Sequence, residues 1–384
     1  MPFQLVYDPS YKLHSGNRLF ELPAALLEQL TAEEPLGSEN RPTVLQLRGL
    51  KDDSAVLCTP VASYDVRQVH VSNALLIVQP RLTETTAPDL ADPASSLPEL
   101  CIRDVLDHHI EVEPCPPRFH RIRSLMQSTA YRGPEYETLL LQDQTLLTWT
   151  DLSDQIQLDD GSLGRHLFEE GVMQLDGYYR LIDPGYLRSV IQLILATLTI
   201  EDIPLDRVPS QICIDQLQDH GIPPTLIVQT LQYFSLPGKN ESGPGLIFSL
   251  DLVKLARFMA CQLLEAEPQR QWPQTDFHAA WQALVPESAV LDWNYLRGLV
   301  IKYKSDRDQL NYLRYFPARD LPTDTNQCFR ALFQTQAHWN PEEMQPFLEH
   351  LAVSSKKLDA LILKFCRISK QQGHTVYSSR LRTH

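Results

Sequence analysis

The most constraining feature of the sequence is a segment, residues 150–183, whose pattern is two helices followed by a β-hairpin. Leu163, Leu167 and Phe168 are spaced as on the inner face of an amphipathic helix. The runs VMQL and YYRLI follow, and they are joined by Asp176-Gly177, the strongest short signal for a tight hairpin turn. Two helices and then a hairpin is the order of a winged helix.

The same order recurs towards the end of the chain, although without a fixed repeat period. At roughly 100 to 200 residues per domain, a chain of 384 residues contains two to four folding units. We therefore predict winged helices at residues 116–200 and 201–268. Residues 269–384 form a third winged-helix region, either as one unit or as two, 269–320 and 321–384.

A different pattern precedes the helices. Residues 43–78 contain short β-branched runs separated by turn residues, which is typical of a β-meander. Polar and apolar residues alternate in SYDVRQVHV, whereas NALLIV is apolar on both faces, which indicates a strand covered on both sides.

We predict that residues 1–115 form a β-barrel domain, or a sheet with a partner, capped by a helix at residues 21–30. Residues 80–117 are rich in proline and acid and predict a linker with one strand at residues 109–113. The predicted fold class is α+β, an N-terminal β-barrel domain followed by tandem winged-helix domains.

Positive charge is concentrated at the C-terminus. The net charge is −14, yet residues 351–384 hold seven basic residues against the single acid Asp359, a net +6 that leaves −20 on the remainder. On a helix in this segment, the apolar residues Leu358, Leu361, Ile362 and Phe365 share one face, and the basic residues Lys356, Lys357, Lys364 and Arg367 occupy the opposite face. Arg380 and Arg382 lie on or just beyond the strand that follows, where a wing would extend the same surface. A solvated face is the alternative, but the contrast with an acidic chain favours DNA binding. The predicted DNA-binding residues are Lys356, Lys357, Lys364, Arg367, Lys370, Arg380 and Arg382.

The second helix of the first winged unit shows the opposite charge. Asp159, Asp160, Glu169 and Glu170 would repel phosphates, so we predict that this unit binds protein or is structural.

No sequence motif for catalysis is present. The chain lacks G-x-x-x-x-G-K-[ST], G-x-G-x-x-G, G-x-S-x-G and H-E-x-x-H, so we predict that it is not an enzyme and needs no cofactor. His109, Glu111 and Glu113 would share one face of a strand, but this pattern also suits a polar barrel face and we assign no metal site.

Seven scattered cysteines without a C-x-x-C pair indicate a reducing compartment. Neither a signal peptide nor a membrane span is predicted, because the most apolar run, Ser189 to Ile200, is only 12 residues long.

Seven segments of the chain resemble the Dcc family of sister chromatid cohesion proteins. In the N-terminal region they are LFELPAALLEQL, VLQLRG and AVLCTPVASYDVRQVHVSNALLIV. Towards the C-terminus they are WQALVPES, RYFPARDLP, CFRALFQTQAHW and TVYSSR.

The resemblance implies a nuclear subunit of an alternative, replication factor C type clamp loader. Its barrel would bind a small Ctf subunit and the C-terminal tail of the large Ctf subunit. We assign this docking to Tyr64, Val66, Val69, Val71, Leu75, Leu76 and Ile77.

The resemblance further implies that the winged helices bind single- or double-stranded DNA and the catalytic subunit of polymerase epsilon, which works with the PCNA clamp. The family's basic positions correspond here to Lys364, Arg367 and Arg380. The alternatives are a free-standing winged-helix regulator of transcription, which would need basic recognition helices in more than one unit, and an enzyme of unknown type.

Overall fold

The chain is of the α+β class, as predicted from the sequence. The computed structural model describes residues 3–8, 11, 16–31, 45–80, 99–119, 121–140, 145–238, 246–305, 309–352, 354–371 and 374–380. Contacts divide the chain into two compact units, residues 1–115 (the sheet unit) and residues 116–384 (the repeat unit). None of the helices in these described ranges combines the length and the apolarity needed to cross a membrane.

In its described residues, the sheet unit is built around one six-stranded sheet and one helix. Its elements are β1 (Gln4–Tyr7), β2 (Phe20–Glu21), α1 (Ala24–Thr31), β3 (Gln46–Arg48), β4 (Val56–Cys58), β5 (Ser63–Pro80) and β6 (Glu99–Pro114). The strand order is β1-β6-β5-β4-β3, and β2 also pairs with β6. β5 and β6 are antiparallel over most of their length, from Tyr64 opposite Pro114 to Pro80 opposite Leu100.

Within its described residues this sheet is open and does not close into the predicted barrel. β1 pairs only with β6, and β3 only with β4, so each leaves one edge without a strand partner in the part of the chain that the structure describes. The reason is geometric, because closing a sheet requires its two outermost strands to pair with each other. The runs predicted as separate strands around Ser72 and Asn73 belong to the single strand β5.

The core of the sheet unit is small. The helix predicted at residues 21–30 is present as α1, and its Leu26 is fully buried against Leu57, Tyr64 and Val112. Two other leucines of this helix, Leu27 and Leu30, remain exposed.

Within the described residues, the repeat unit contains four successive segments, called the repeats, each of which combines two or more helices with a small group of antiparallel strands. The first repeat consists of α2 (Arg121–Met126), α3 (Pro134–Leu140), α4 (Trp149–Gln155), α5 (Asp160–Glu169), β7 (Val172–Leu175) and β8 (Tyr178–Leu181). The second consists of α6 (Pro184–Ile200), β9 (Val208–Pro209), α7 (Ser210–Leu217), α8 (Pro224–Tyr233) and β10 (Ile247–Phe248).

The last two repeats follow the same plan. The third consists of α9 (Leu252–Ala266), β11 (Gln271–Pro273), α10 (Gln274–Gln282), a 3-10 turn (Trp293–Leu296), β12 (Val300–Lys304) and β13 (Asn311–Tyr315). The fourth consists of α11 (Thr325–Thr335), β14 (His338–Trp339), α12 (Pro341–Met344), α13 (Ser355–Phe365), β15 (Cys366–Gln371) and β16 (His374–Ser379).

Strand pairing is the same in the third and fourth repeats. The last strand lies between the first strand and its hairpin partner, giving the orders β11-β13-β12 and β14-β16-β15. In the first repeat a single residue, Leu147, serves as the first strand by bridging to Tyr179, and in the second β9 pairs with β10.

The hairpin predicted in the first repeat is confirmed. β7 and β8 pair antiparallel, and the turn residues Asp176 and Gly177 both have positive φ, 51° and 88°. This backbone is the one that a two-residue turn of matching twist needs. Of the predicted inner face of α5, Leu163 and Leu167 are buried, whereas Phe168 is exposed.

Three apolar cores support the repeats. One lies in the first repeat, a second is shared by the second and third and includes Met173 and Leu175 of the first, and a third lies mainly in the fourth. In the shared core the indole of Trp281 is fully buried and its Nε1 donates to the carbonyl oxygen of Ala256 at 2.7 Å. A satisfied indole is what allows so large a polar aromatic side chain to be buried.

Candidate nucleic-acid interface and docking surface

Helix α13 carries three of the seven predicted DNA-binding residues and is anchored on one side. The hydroxyl of Ser354 accepts a hydrogen bond from the backbone N–H of Lys357 at 3.4 Å, as a helix N-cap does. Phe365 is only 4% exposed and stacks on Phe329 of α11, with ring centroids 4.7 Å apart. The buried face of α13 therefore holds its exposed face in place on the fourth repeat.

The helix is shorter than the basic segment predicts. It ends at Phe365, and residues 366–371 form strand β15, so Arg367 and Lys370 lie on a hairpin and not on the helix. Cys366 adopts an extended backbone, is fully buried and pairs with Ser379. Tertiary strand pairing here overrides a helical pattern that the local sequence tolerates.

The described basic residues are all exposed. Lys356, Lys357 and Lys364 lie on α13, Arg367 and Lys370 on β15, and Arg380 directly after β16. Together these six residues are called the C-terminal basic surface. Arg382 lies outside the described residues.

The hairpin brings two arginines to one face. Arg367 on β15 lies directly opposite Ser378 on β16, and Arg380 comes two residues after Ser378. The backbone N–H of Arg380 donates to the carbonyl oxygen of Phe365 at 2.9 Å, which extends the pairing to that position. Residues two apart on a strand share a face, and diagonal neighbours are about 7–8 Å apart, so both guanidinium groups can reach one phosphate backbone.

The C-terminal basic surface is not neutralised by ion pairs. Among the described residues, none of its six side chains forms a salt bridge. Helix α5 of the first repeat is different, because His166 contacts Glu169 at 3.0 Å and Glu170 contacts Arg123 at 3.3 Å.

A second basic strand was not singled out from the sequence. Lys302 and Lys304 are exposed on β12, on either side of Tyr303, whose ring stacks on Tyr312 at 5.8 Å between centroids. The Nζ of Lys302 lies 5.8 Å from the ring centroid of Trp293. The alternation Lys-Tyr-Lys is the only sequence signal for this feature, and it is weak because such triplets are common on exposed strands.

The residues predicted to dock partner subunits differ in burial: some lie in the core of the sheet unit, and the others are half-buried or exposed. Tyr64 is 3% exposed in the core of the sheet unit, and burial raises the pKa of its hydroxyl. Val66 packs against the same core, so these two residues support the sheet. Leu76 is exposed, and the remaining predicted residues are half-buried along β5: Val69, Val71, Leu75 and Ile77.

The histidines of β6 lie in two clusters with carboxylates. His109 Nε2 is 3.4 Å from a carboxylate oxygen of Glu21 and 3.5 Å from one of Glu111, whereas Glu113 is not part of the group. The other cluster contains His70, Asp107 and His108. Nδ1 of His108 lies 2.6 Å from the carboxylate of Asp107, and this contact lowers the pKa of Asp107.

These features define a modular α+β protein in which an open sheet unit precedes four similar repeats, the last with an exposed basic surface. Comparison with known proteins places it more closely. Residues 17–348 match the family model described as sister chromatid cohesion protein Dcc1. The chain therefore belongs to the Dcc1 family of sister chromatid cohesion proteins, as the sequence resemblance indicates.

Individual relatives match over most of the chain. The sister chromatid cohesion protein DCC1 of Xenopus tropicalis is 28% identical over 362 residues, which cover 94% of this chain and 88% of that protein. The mouse protein of the same name is 26% identical over 362 residues, covering 94% and 86%. The human protein of that name is 26% identical over 340 residues, covering 88% and 84%.

Proposed function

We propose that this chain acts in sister chromatid cohesion and DNA replication as a non-catalytic, nuclear subunit of an alternative PCNA clamp loader. Membership in the Dcc1 family supports the cohesion role. In this proposal the sheet unit binds a small Ctf subunit and the C-terminal tail of the large Ctf subunit, and ATP hydrolysis takes place elsewhere in the loader.

The observation that carries the docking proposal is the apolar surface of the sheet unit. Among its described residues, exposed large apolar side chains outnumber the buried apolar ones. The exposed ones are Phe3, Leu5, Tyr7, Leu19, Phe20, Leu27, Leu30, Leu45, Leu47, Leu50, Val61, Leu76 and Val78. An excess of exposed apolar side chains is typical of an interaction surface, and strand edges such as those of β1 and β3 accept added strands. Partner strands at these edges would complete the barrel expected from the sequence.

Deleting residues 1–115 is expected to abolish co-purification with the Ctf subunits. A finer test is Leu47→Arg, because Leu47 is 69% exposed on edge strand β3 and its replacement leaves the core of the unit intact. Burying an unpaired charge in an interface costs several kcal/mol, so the variant should lose the partner subunits in a pull-down.

Val290→Arg provides the matched control, since Val290 is 79% exposed but lies in the repeat unit. It should retain the Ctf subunits. Full retention by both Leu47→Arg and the deletion variant would mean that the sheet unit is not the docking surface.

We further propose that the four repeats are winged helices and that the fourth binds DNA through the C-terminal basic surface. Support comes from the combination of helices with a small antiparallel strand group in each repeat, and from basic side chains on a helix and on the adjoining hairpin of the fourth, which together can follow a phosphate backbone. If roughly three or four phosphates are touched, the slope of log affinity against log salt concentration is about −2 to −4.

Charge reversal at Lys364, Arg367 and Arg380 tests this assignment. Binding of a fluorescent DNA duplex and of a single strand should weaken, and the salt slope should approach zero. Arg165→Glu is the control, because Arg165 is exposed on α5, the corresponding helix of the first repeat. Unchanged DNA affinity and salt slope in the triple variant would sink the assignment.

The polymerase epsilon catalytic subunit completes the proposed assembly, and PCNA is reached indirectly through the loader. The family resemblance supports these two partners. The charge of the repeats argues against a free-standing transcription regulator, because α5 is acidic and α8 contains no basic residue.

A further inference from the structure

The bulged centre of the β5–β6 ladder combines two histidines and an aspartate. His70 on β5 lies directly opposite His108 on β6, with ring centroids 5.7 Å apart. Together with Asp107 they form a group whose potential ligand atoms all lie within 4.8 Å of one another. All three residues belong to the sheet unit.

An irregularity in strand pairing creates this grouping. The register shifts between the His70–His108 pair and the Leu75–Leu106 pair, so residues 71–74 of β5 stand opposite Asp107 alone. Neighbouring residues of a regular strand point to opposite faces. Asp107 and His108 nevertheless meet at 2.6 Å, because a bulge re-aims side chains beside it.

The chemistry of the group points to a metal ion. Two imidazoles and one carboxylate are the ligand types that Zn²⁺ takes at a site with an open fourth position. We propose that His70, Asp107 and His108 bind a divalent transition-metal ion, with Zn²⁺ the best match.

The exposure of the residues determines what kind of site this is. The side chain of Asp107 is 80% exposed and that of His108 22% exposed, so the ion is reachable from solvent and its fourth position takes water. Because its ligands come from both β5 and β6, the ion cross-links the two longest strands at the point where their backbone pairing is interrupted.

The second cluster on β6 provides an internal comparison. Histidine 109 faces the opposite side of the strand and contributes the single imidazole among Glu21, His109 and Glu111. Its Nε2 lies at ion-pair distance from both carboxylates, 3.4 Å from Glu21 and 3.5 Å from Glu111. Because this cluster offers only one imidazole, His109 serves as the control.

Zn²⁺ titration of the full-length chain without a histidine tag, after chelation and dialysis, tests the site. Calorimetry should give a site of 1:1 stoichiometry that His70→Ala and His108→Ala each weaken at least about tenfold. His109→Ala should retain the wild-type affinity. If circular dichroism shows that an alanine variant has lost its fold, His70→Gln is measured in its place. The position of His70 is exposed, so this substitution should leave the fold intact.

Cobalt substitution identifies the ligands. Co²⁺ should give d–d bands without thiolate charge transfer, and Zn²⁺ should slow hydrogen exchange in residues 68–76 and 104–109 of the wild type but not of His70→Ala. Affinity unchanged in His70→Ala and His70→Gln, or a thiolate band on the bound cobalt, would overturn the proposal. Neither result bears on binding of Ctf subunits, so this proposal fails or stands independently of the proposed function.

Discussion

Replacing Phe365 with alanine should loosen the fourth repeat and, with it, the hairpin that carries Arg367 and Arg380. The Phe365 ring is buried at the end of α13 and stacks on Phe329. The backbone of the same residue pairs with Arg380. Removal of the ring therefore acts on the core and on the presentation of the basic surface together.

The size of the effect follows from burial. Truncating a buried phenylalanine to alanine costs about 3–5 kcal/mol. A segment of roughly 55 residues has a stability of about 3–8 kcal/mol, so the loss is comparable with the whole stability of the repeat. At about 1.4 kcal/mol per factor of ten, opening becomes about 10² to 10⁴ times more frequent.

Hydrogen exchange measured by mass spectrometry reports this change directly. Amides of residues 366–379 should exchange about 10² to 10⁴ times faster in Phe365→Ala, while those of the first repeat keep their wild-type rates. The apparent DNA affinity is proportional to the fraction of molecules in which the fourth repeat is folded, so it should fall as that fraction falls.

Leu363→Ala is the matched control, because Leu363 is on the same helix and 55% exposed. A surface substitution of this kind changes stability by less than about 0.5 kcal/mol, which corresponds to less than about threefold in exchange. The reasoning is refuted if Phe365→Ala and Leu363→Ala exchange alike, or if the first repeat loses protection to the same extent as the fourth.

Three further outcomes are expected. Glu137→Ala should destabilise the first repeat by about 3–5 kcal/mol in chemical denaturation, because it leaves the buried guanidinium of Arg180 without its bidentate partner. Arg180→Met should cost less, since the carboxylate that it leaves unpaired, Glu137, is more exposed to water. Gly177→Ala, at φ 88°, should cost about 1–2 kcal/mol in the same assay, whereas Gly164→Ala within α5 should be neutral or stabilising by up to about 1 kcal/mol. Burial raises the pKa of the Cys366 thiol from 9.0 to about 12, and the nearby charge of Arg380 opposes part of this rise. Between these pH values the thiol is therefore neutral in the folded protein and ionised in the unfolded protein. Stability should therefore fall as the pH rises from 9 towards 12, and Cys366→Ala should show a smaller fall in a pH series of melting temperatures.

Several elements could be predicted from the sequence because their causes are local. The Asp176-Gly177 turn is one example, since positive φ at two successive residues is a preference of those residues themselves. Leu163 and Leu167 were correctly predicted to face inward, because helical periodicity can be recognised from a few neighbouring residues. The excess of positive charge after residue 350 is a property of composition and needs no fold at all.

Other features depended on residues far apart in the chain. The end of α13 at Phe365 depends on the pairing of Cys366 with Ser379, and the burial of Tyr64 depends on Leu26 and Val112. The sequence pattern also suggested a closed barrel, yet closure requires that the outermost strands meet, and the described strands β1 and β3 do not.

The metal-binding proposal shows the same division. The sequence alone drew attention to His109, Glu111 and Glu113, which alternate along one strand. The structure instead combines His70 with Asp107 and His108, because a four-residue irregularity in β5 shifts the register beside them. Local preference thus determined which turns, helices and charges this chain contains. Long-range pairing decided where those elements end and which side chains meet, because such contacts depend on partners that no local window of sequence includes.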